Sequence, residues 1–572
     1  FEDTMVLRLG KLELVRNQWR KFDYEIDTSG KLTPLPANDP VKTDVLAVNI
    51  EENDERTPIR YKTPPGIERQ QQLSNNNVQL LQNEQALSFR VCGLPVEHSR
   101  GVFKTMNLDL RTYGRLSMFI HAESSDLISG GTDIQDGDLE AIIRIGNDFI
   151  SNYYEIRIPL KISQHGNDDL YNIWPEENNL DFDLNDLVQL KIKRNSSSSS
   201  PAVYYSETQA NGKIYGILGN PNLGEVRGMF MGVRSVNKPN ACAEIWFNEL
   251  RLSKLDERGG MAALSRVDIR LADLGNVTLS GSIRTDGFGT LEQRVNERSK
   301  EDYLEYDLTT NLDLGKLIPK SAGIQIPVTA GISKTISKPR FDPLDLDVEL
   351  QEKIDNAASK AAKDSIRRDA IDETTIKNVT FTNVKKNKTN GKPSKLYDIS
   401  NLDFNFSIVQ QTRTSPIIEL EDVKRTRAAI GYNFQTQPKF IEPFKKLFKK
   451  PSPWLALIRD FNFNYKPSVI SLKADVFRQF GSYRPRNFGT SFKLPETYNK
   501  FFYFDRYYSL RWELTRSLTF DFNAINYARV DEPFGRIDTK EKKDTVRKNF
   551  WKGGGNTHYH HEGTLSYNLP TS

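Results

Sequence analysis

Tyr508-Ser509-Leu510-Arg511-Trp512-Glu513-Leu514 is followed, after Thr515-Arg516-Ser517, by Leu518-Thr519-Phe520-Asp521-Phe522-Asn523. Apolar and polar residues alternate through both runs. Successive side chains of a strand point to opposite faces, so each run has one greasy and one wet side. Arg516–Ser517 between them predicts a hairpin turn. The same beat recurs from Ser265 onward. Val267, Ile269 and Leu271 interleave with Asp268 and Arg270, and Leu402, Phe404, Phe406 and Ile408 with Asp403, Asn405 and Ser407. About ten residues is the length of a tilted strand that crosses a bilayer. Register matters in such a strand, because Arg or Lys facing lipid at mid-bilayer costs roughly 2–4 kcal/mol. The lipid-facing candidates are therefore Val267, Ile269, Leu271, Phe404, Phe406, Leu510, Trp512, Leu514, Phe520 and Phe522. The lumen-facing candidates are Asp268, Arg270, Asp403, Arg511, Glu513 and Asp521. A large soluble β-sandwich has the same alternation facing a protein core, and period-two patterning alone does not name the apolar solvent.

Eleven spanning candidates start near Ser265, Val277, Tyr303, Ala322, Asn401, Ile417, Leu457, Val469, Arg506, Leu518 and Gly563. Pro327 lacks the donor a central strand needs, so its strand starts or bulges there. Residues 345–371 are charged and Ala-rich and predict a helical loop. Residues 438–450 predict an amphipathic connecting helix, with Phe440, Ile441, Phe444, Leu447 and Phe448 opposite four lysines, either on a membrane interface or packed on protein. Tyr503, Tyr507, Tyr508, Tyr527, Trp551 and Tyr559 fall near expected strand ends, as interfacial girdles require.

The first half reads differently. Residues 1–84 are rich in Pro, Asn and charge and predict irregular structure, with one helix or strand around Lys11–Trp19. Residues 85–255 carry about eight short alternating runs and predict a jelly-roll-like β-sandwich. Among them are Leu87–Val91, Leu139–Ile145, Ile156–Ile162, Val188–Ile192 and Ile245–Phe247, with a bulge before Leu250. Asn195–Ser200 predicts a mobile low-complexity loop. Asp256–Gly260 marks a boundary, and residues 256–572 carry the spanning pattern. The fold class expected is all-β, a jelly-roll-like sandwich followed by part of a very large transmembrane antiparallel β-barrel.

The 572 residues are 37% hydrophobic and 27% charged, without the run of about eighteen apolar residues that a membrane helix needs. Barrel strands dilute their apolar residues with polar ones, so this excludes no barrel. Lys plus Arg number 79 and Asp plus Glu 75, a net +4 that argues against a nucleic-acid binder. Phe1 opens the chain without an initiator Met, and the expectation is a fragment. Cys92 and Cys242 flank expected strands. They are either a disulfide of an oxidising compartment or two buried thiols.

No Walker loop, GxGxxG, HExxH or paired CxxC is present, and no enzyme is expected. His558 and His560 share a strand face but lack an evident third ligand. Asp133, Asp136, Asp138 and Glu140 form either a solvated turn or a structural calcium site, without EF-hand spacing. Glu176, Glu177, Asp181, Asp183 and Asp186 are a solvated loop or a hydrolase's carboxylates. Tyr153, Tyr154, Tyr171 and Trp174 are core packing or a sugar platform.

Longer stretches are more specific. Val48-Asn49-Ile50-Glu51-Glu52-Asn53, Pro64-Pro65-Gly66-Ile67-Glu68-Arg69, Gln82-Asn83-Glu84-Gln85, Val102-Phe103-Lys104-Thr105, Ile120-His121-Ala122-Glu123, Trp174-Pro175-Glu176-Glu177-Asn178 and Asn248-Glu249-Leu250-Arg251-Leu252 closely resemble the SprA/Sov family. Ile318-Pro319-Lys320, Ile326-Pro327-Val328, Asp460-Phe461-Asn462-Phe463-Asn464 and Asn556-Thr557-His558-Tyr559-His560-His561 look like its barrel segments. The resemblance implies the outer-membrane translocon of the Bacteroidetes type IX secretion system, which also supports gliding motility. It further implies extracellular domains, secreted cargo proteins, a PorV-like barrel and a periplasmic plug protein as partners, and a lipid bilayer around the wall. The rival reading is a surface-anchored adhesin or carbohydrate-binding β protein.

Overall fold

The structure is a computed structural model that describes residues 19–27, 31–69, 71, 72, 80–125, 133–197, 199–389, 394–447, 454, 456–487 and 492–569. The expected element at Lys11–Trp19 lies outside them except for Trp19. The chain is all-β in class and divides into two units. The first holds residues 1–258 together with the strand Asp345–Glu349, and the second holds Gly259–Leu344 and Leu350–Ser572.

In the first unit a seven-stranded and a five-stranded antiparallel sheet share one apolar core. Strand alternation builds it. Leu139, Ala141, Ile143 and Ile145 point inward from Leu139–Gly146, and Leu116, Met118, Ile120 and Ala122 from Tyr113–Ser124. Ala243, Ile245 and Phe247 do so from Ala241–Leu255, whose register shifts between Asn248 and Arg251, with Glu249 at φ 53°. Cys92 and Cys242, on adjacent strands, form a disulfide. Three elements differ from the expectation. Lys42–Asn49, inside the stretch read as irregular, is an eight-residue strand pairing with Gln85–Leu94. Val188, Leu190 and Ile192 lie on a helix, Leu184–Ser196, whose buried Leu184, Leu187, Val188, Lys191 and Arg194 keep helical spacing. That helix also takes in Asn195 and Ser196 of the expected mobile loop.

Among the described residues the second unit is built on one large antiparallel sheet. Eleven strands follow one another in chain order: Ala262–Leu271, Gly275–Arg284, Glu301–Asp313, Pro327–Pro339, Asp372–Lys386, Leu402–Thr414, Ile418–Gln435, Val469–Pro485, Thr497–Glu513, Leu518–Arg529 and Gly555–Tyr567. Ile324–Gln325 is a side branch. Among the described residues the first and last of the eleven do not pair, so the sheet is open. Pro327 opens its strand, where its missing N–H costs no ladder bond. Leu457 does not start a strand but lies in the short helix Ala456–Arg459, while Asp372–Lys386 is a strand the alternation did not reveal. The last strand begins at Gly555, eight residues before Gly563. Asp345–Glu349 is a strand rather than helix, and the helices are Leu350–Asp355 and Lys360–Ala370. The helix expected over 438–450 is absent from its described part: Ile441 makes an isolated bridge with Phe463 and residues 443–447 form turns.

Candidate functional site

Residues directly opposed across an antiparallel ladder share a face, so the register can be followed from strand to strand. Arg511 opposes Asp521, and Leu510 opposes Phe522. Asp403 opposes Gly431, which opposes Lys473, which opposes Tyr507 on the Arg511 side of its strand. The same walk in the other direction, through Thr380, Thr329, Asn311 and Asn276, reaches Arg270. Asp268, Arg270, Asp403, Arg511, Glu513 and Asp521 therefore all lie on one face. Val267, Ile269, Leu271, Phe404, Phe406, Leu510, Trp512, Phe520 and Phe522 all lie on the other. Leu514 falls just beyond the end of Thr497–Glu513.

The polar face is cross-linked by side chains. Arg427 donates from Nε and Nη2 to the two carboxylate oxygens of the buried Asp475, at 2.9 and 2.6 Å, and Lys473 Nζ is 3.2 Å from the same group. Asn433 Nδ2 donates to Asp403 at 3.0 Å, and Ser471 donates to Asn433 at 2.7 Å, tying three strands. Thr278 donates to Asp268 at 2.7 Å, with Arg266 on its other side at 2.9 Å. A Cβ on Gly431 would meet the Asp403 carboxylate at 2.4 Å, so glycine lets that acid lie against the sheet. A shallow depression of about 340 Å³ on this face is lined by Thr380, Asn405, Ser407, Arg427, Lys473 and Asp475.

The apolar face is uncovered over much of the sheet. Ile430 and Leu472, on central strands, keep 54% and 42% of their surface exposed, values foreign to a protein core. It changes character toward one end of the longest strands, where Arg478, Lys500 and Arg506 replace hydrocarbon. There a cover packs on: Phe502, Val530 and Val546 form a small core with Phe504 and Phe550, Glu532 accepts from Arg478 at 2.5 Å, and the helix Lys540–Trp551 supplies Val546 and Phe550. Val469–Pro485 and Thr497–Glu513 have 17 residues each. At about 3.4 Å per residue they run roughly 58 Å, more than twice an apolar band of about 25 Å. Length also corrects the girdle reading. Tyr503, Tyr507 and Tyr508 fall inside a strand rather than at its end, and Tyr503, Tyr507 and Tyr527 share the polar face. Only Tyr508 and Tyr559 are on the apolar one. Trp551 closes a helix.

The other candidates of the first unit separate into packing and surface pairs. Glu140 accepts from Arg234 at 2.6 Å, Asp136 from the Ile162 N–H at 2.8 Å, and Asp133 and Asp138 from Gln135. These four do not converge, and among the described residues no group of three metal-ligating side chains does. Asp181 meets Arg115, Asp183 meets Lys254 and Glu177 meets Lys161. Tyr153, Tyr154 and Trp174 are buried, with Tyr171 alone exposed, so they form no platform. His558 and His560 share the polar face of the outermost strand.

Sequence reasoning missed the buried charges of this unit. Glu155 has no exposed surface and lies 2.6 Å from both Arg144 and Arg157. Burial would raise its carboxyl, yet the two guanidinium groups hold it down to about 2. Arg144 also stacks 3.9 Å over the Tyr153 ring. A second cluster joins Arg56 to Glu123 and Glu244 at 2.5 and 2.7 Å, with Arg90 and the Trp246 indole also on Glu244. Against burial, His121 and Arg56 keep the Glu123 carboxyl below the usual range. Charged residues at 140, 144, 155 and 157 were the available signal, since they sit between core positions on the outer face of their sheet, which they share with the apolar Ile142.

A family model described as "motility related/secretion protein" matches residues 1–354, spanning the whole first unit and the first strands of the second. The chain belongs to this family. No curated protein matches the chain. Membership in the motility-related secretion family agrees with the resemblance carried by the Pro64–Arg69, Trp174–Asn178 and Asn248–Leu252 stretches. Among the described residues, no helix is long and apolar enough to cross a membrane, which says nothing of crossing by strands.

Proposed function

We propose that the second unit is part of the wall of an outer-membrane protein-conducting channel, the translocon of type IX secretion, that moves folded cargo to the cell surface and supports gliding. One observation carries the reading: among the described residues a single sheet of eleven strands sorts its side chains into one cross-linked polar face and one face that is apolar and uncovered over much of its extent. Hydrocarbon is the solvent in which an uncovered apolar sheet face is at its minimum, and a closed wall leaves no unpaired edge in lipid. The polar face then borders a wet lumen, with Asp268, Arg270, Asp403, Arg511, Glu513 and Asp521 along it. Acids and bases meet there in pairs, Arg266 with Asp268 and Arg427 and Lys473 with Asp475, so part of the fixed charge on that face is compensated. Conduction is passive, without a catalytic step in this chain. The first unit is an extracellular element, and its disulfide suits an oxidising compartment. A PorV-like barrel and a periplasmic plug protein are its partners.

Photo-crosslinkers placed along one strand in secreting cells test this. Positions 511 and 521 are expected to capture secreted cargo, and positions 520 and 522 lipid only. Equal capture of cargo from both faces, or from neither, contradicts a conduit on the polar side.

A further inference from the structure

The long connection between Ile418–Gln435 and Val469–Pro485 carries a feature that the channel reading does not use. Ile441, Phe444, Phe461 and Phe463 are all exposed, yet they cluster: Phe444 and Phe463 each lie 6.3 Å from Phe461, and Ile441 bridges to Phe463 through the backbone; the exposed Tyr465 follows, with Lys466 4.9 Å over its ring. Around them Lys439, Lys445, Lys446 and Lys466 are exposed. Two acids lie within the cluster: Glu442 is engaged by Lys445 at 2.6 Å and Arg516 at 2.5 Å, and Asp460 by Arg459 at 2.8 Å. The patch is fixed to one side of the sheet. The Trp512 indole, on the apolar face, donates to the Asn464 carbonyl at 2.9 Å, and the Asn464 N–H donates to the Leu514 carbonyl at 2.9 Å. Exposed aromatic rings therefore continue the apolar face past the end of its strands, and lysines begin where the hydrocarbon ends.

We propose that residues 439–446 and 461–466 of this connection form a membrane-interface anchor whose rings enter the headgroup region and whose lysines bind anionic phospholipid headgroups. The proposal rests on the wall reading and extends it to the lipid the wall meets. Aromatic rings are stable where one side is apolar and the other wet. Lysine stems extend along apolar surface while the ammonium stays in the anionic layer. A protein partner would cover the rings too, but basic side chains outnumber the two acids beside them, Glu442 and Asp460, which fits a diffuse anionic layer better than a shaped pocket.

The test uses the full chain reconstituted in vesicles of phosphatidylethanolamine with phosphatidylglycerol, some of it brominated near the headgroup or deep in the acyl chain. The Phe461→Trp protein minus the parent reports position 461, and the parent minus Trp512→Phe reports position 512. The expected result is quenching of 461 by shallow bromine, with Lys445→Glu/Lys446→Glu cutting it by about half or more. Quenching at 512 but not at 461 overturns the anchor and leaves the wall standing. Quenching at neither position removes both. A residue 461 shielded from aqueous acrylamide but untouched by bromolipid means that protein covers it, and equal quenching in pure phosphatidylcholine means that the lysines do not select anionic lipid. Either result overturns the assignment.

Discussion

Phe89 in the first unit and Phe404 in the second hold the same local position, an apolar residue on an alternating strand with polar neighbours. Phe89 has no exposed surface, while Phe404 keeps 39% of its own. The first unit places a second sheet over its apolar face and buries a single core; the second unit leaves its apolar face uncovered across many strands. Their polar residues are inverted as well. In the first unit charged side chains go under cover on the outer faces, as with Glu155 between Arg144 and Arg157. In the second they form a half-exposed ladder along one side. The comparison teaches that period-two patterning fixes which residues share a face, while the neighbour of that face is decided at longer range.

Four substitutions and a pH scan probe the two units. Glu155→Ala leaves Arg144 buried without its carboxylate and is expected to destabilise the first unit by about 3–5 kcal/mol, read by chemical denaturation. Lowering the pH acts on the same group. Its folded carboxyl titrates near 2 against an ordinary 4.5, so the stability it lends is complete above about pH 4.5 and is lost as pH falls toward 2. The loss is of order 3 kcal/mol, and an acid-unfolding profile of Glu155→Gln without this step checks it. Phe522→Arg places a cation on the apolar face and is expected to cost about 2–4 kcal/mol of membrane folding, read by heat-modifiability on gels. Asp521→Asn, one residue away on the polar face, is expected to cost no more than about 1 kcal/mol in the same assay, since Arg511 lies 3.9 Å off in an exposed pair. Equal costs at 521 and 522 would erase the difference between the faces.

Much of this was legible in the sequence, for a physical reason. Strand alternation is a local property, so the faces assigned to residues 267–271, 403–406, 510–513 and 520–522 agree across strands far apart in the chain. What escaped was local pattern overruled by context. Asp372–Lys386 hid because Thr374, Thr375, Thr380 and Thr382 blur the contrast between faces and Lys377 stands on the apolar side. Val188–Ile192 alternates over five residues, while the helical spacing of Leu184, Leu187, Lys191 and Arg194 needs a longer window and counts two cations as buried. Lys191 is buried because Asp345 and Asp347 meet it at 2.6 and 3.1 Å, a pairing from a segment more than 150 residues away. The cover over Phe502 and Val530 was invisible for the same reason, since no local signal says that Arg478 and Lys500 leave the apolar band.

Spin labels placed one at a time from 518 to 524 in reconstituted protein show whether lipid covers the apolar face. Accessibility to oxygen should peak at 518, 520 and 522, and accessibility to a water-soluble nickel reagent at 519, 521 and 523, the two profiles alternating out of phase. Low access of both probes at 520 and 522 would mean that protein, not lipid, covers that face, and would contradict the account.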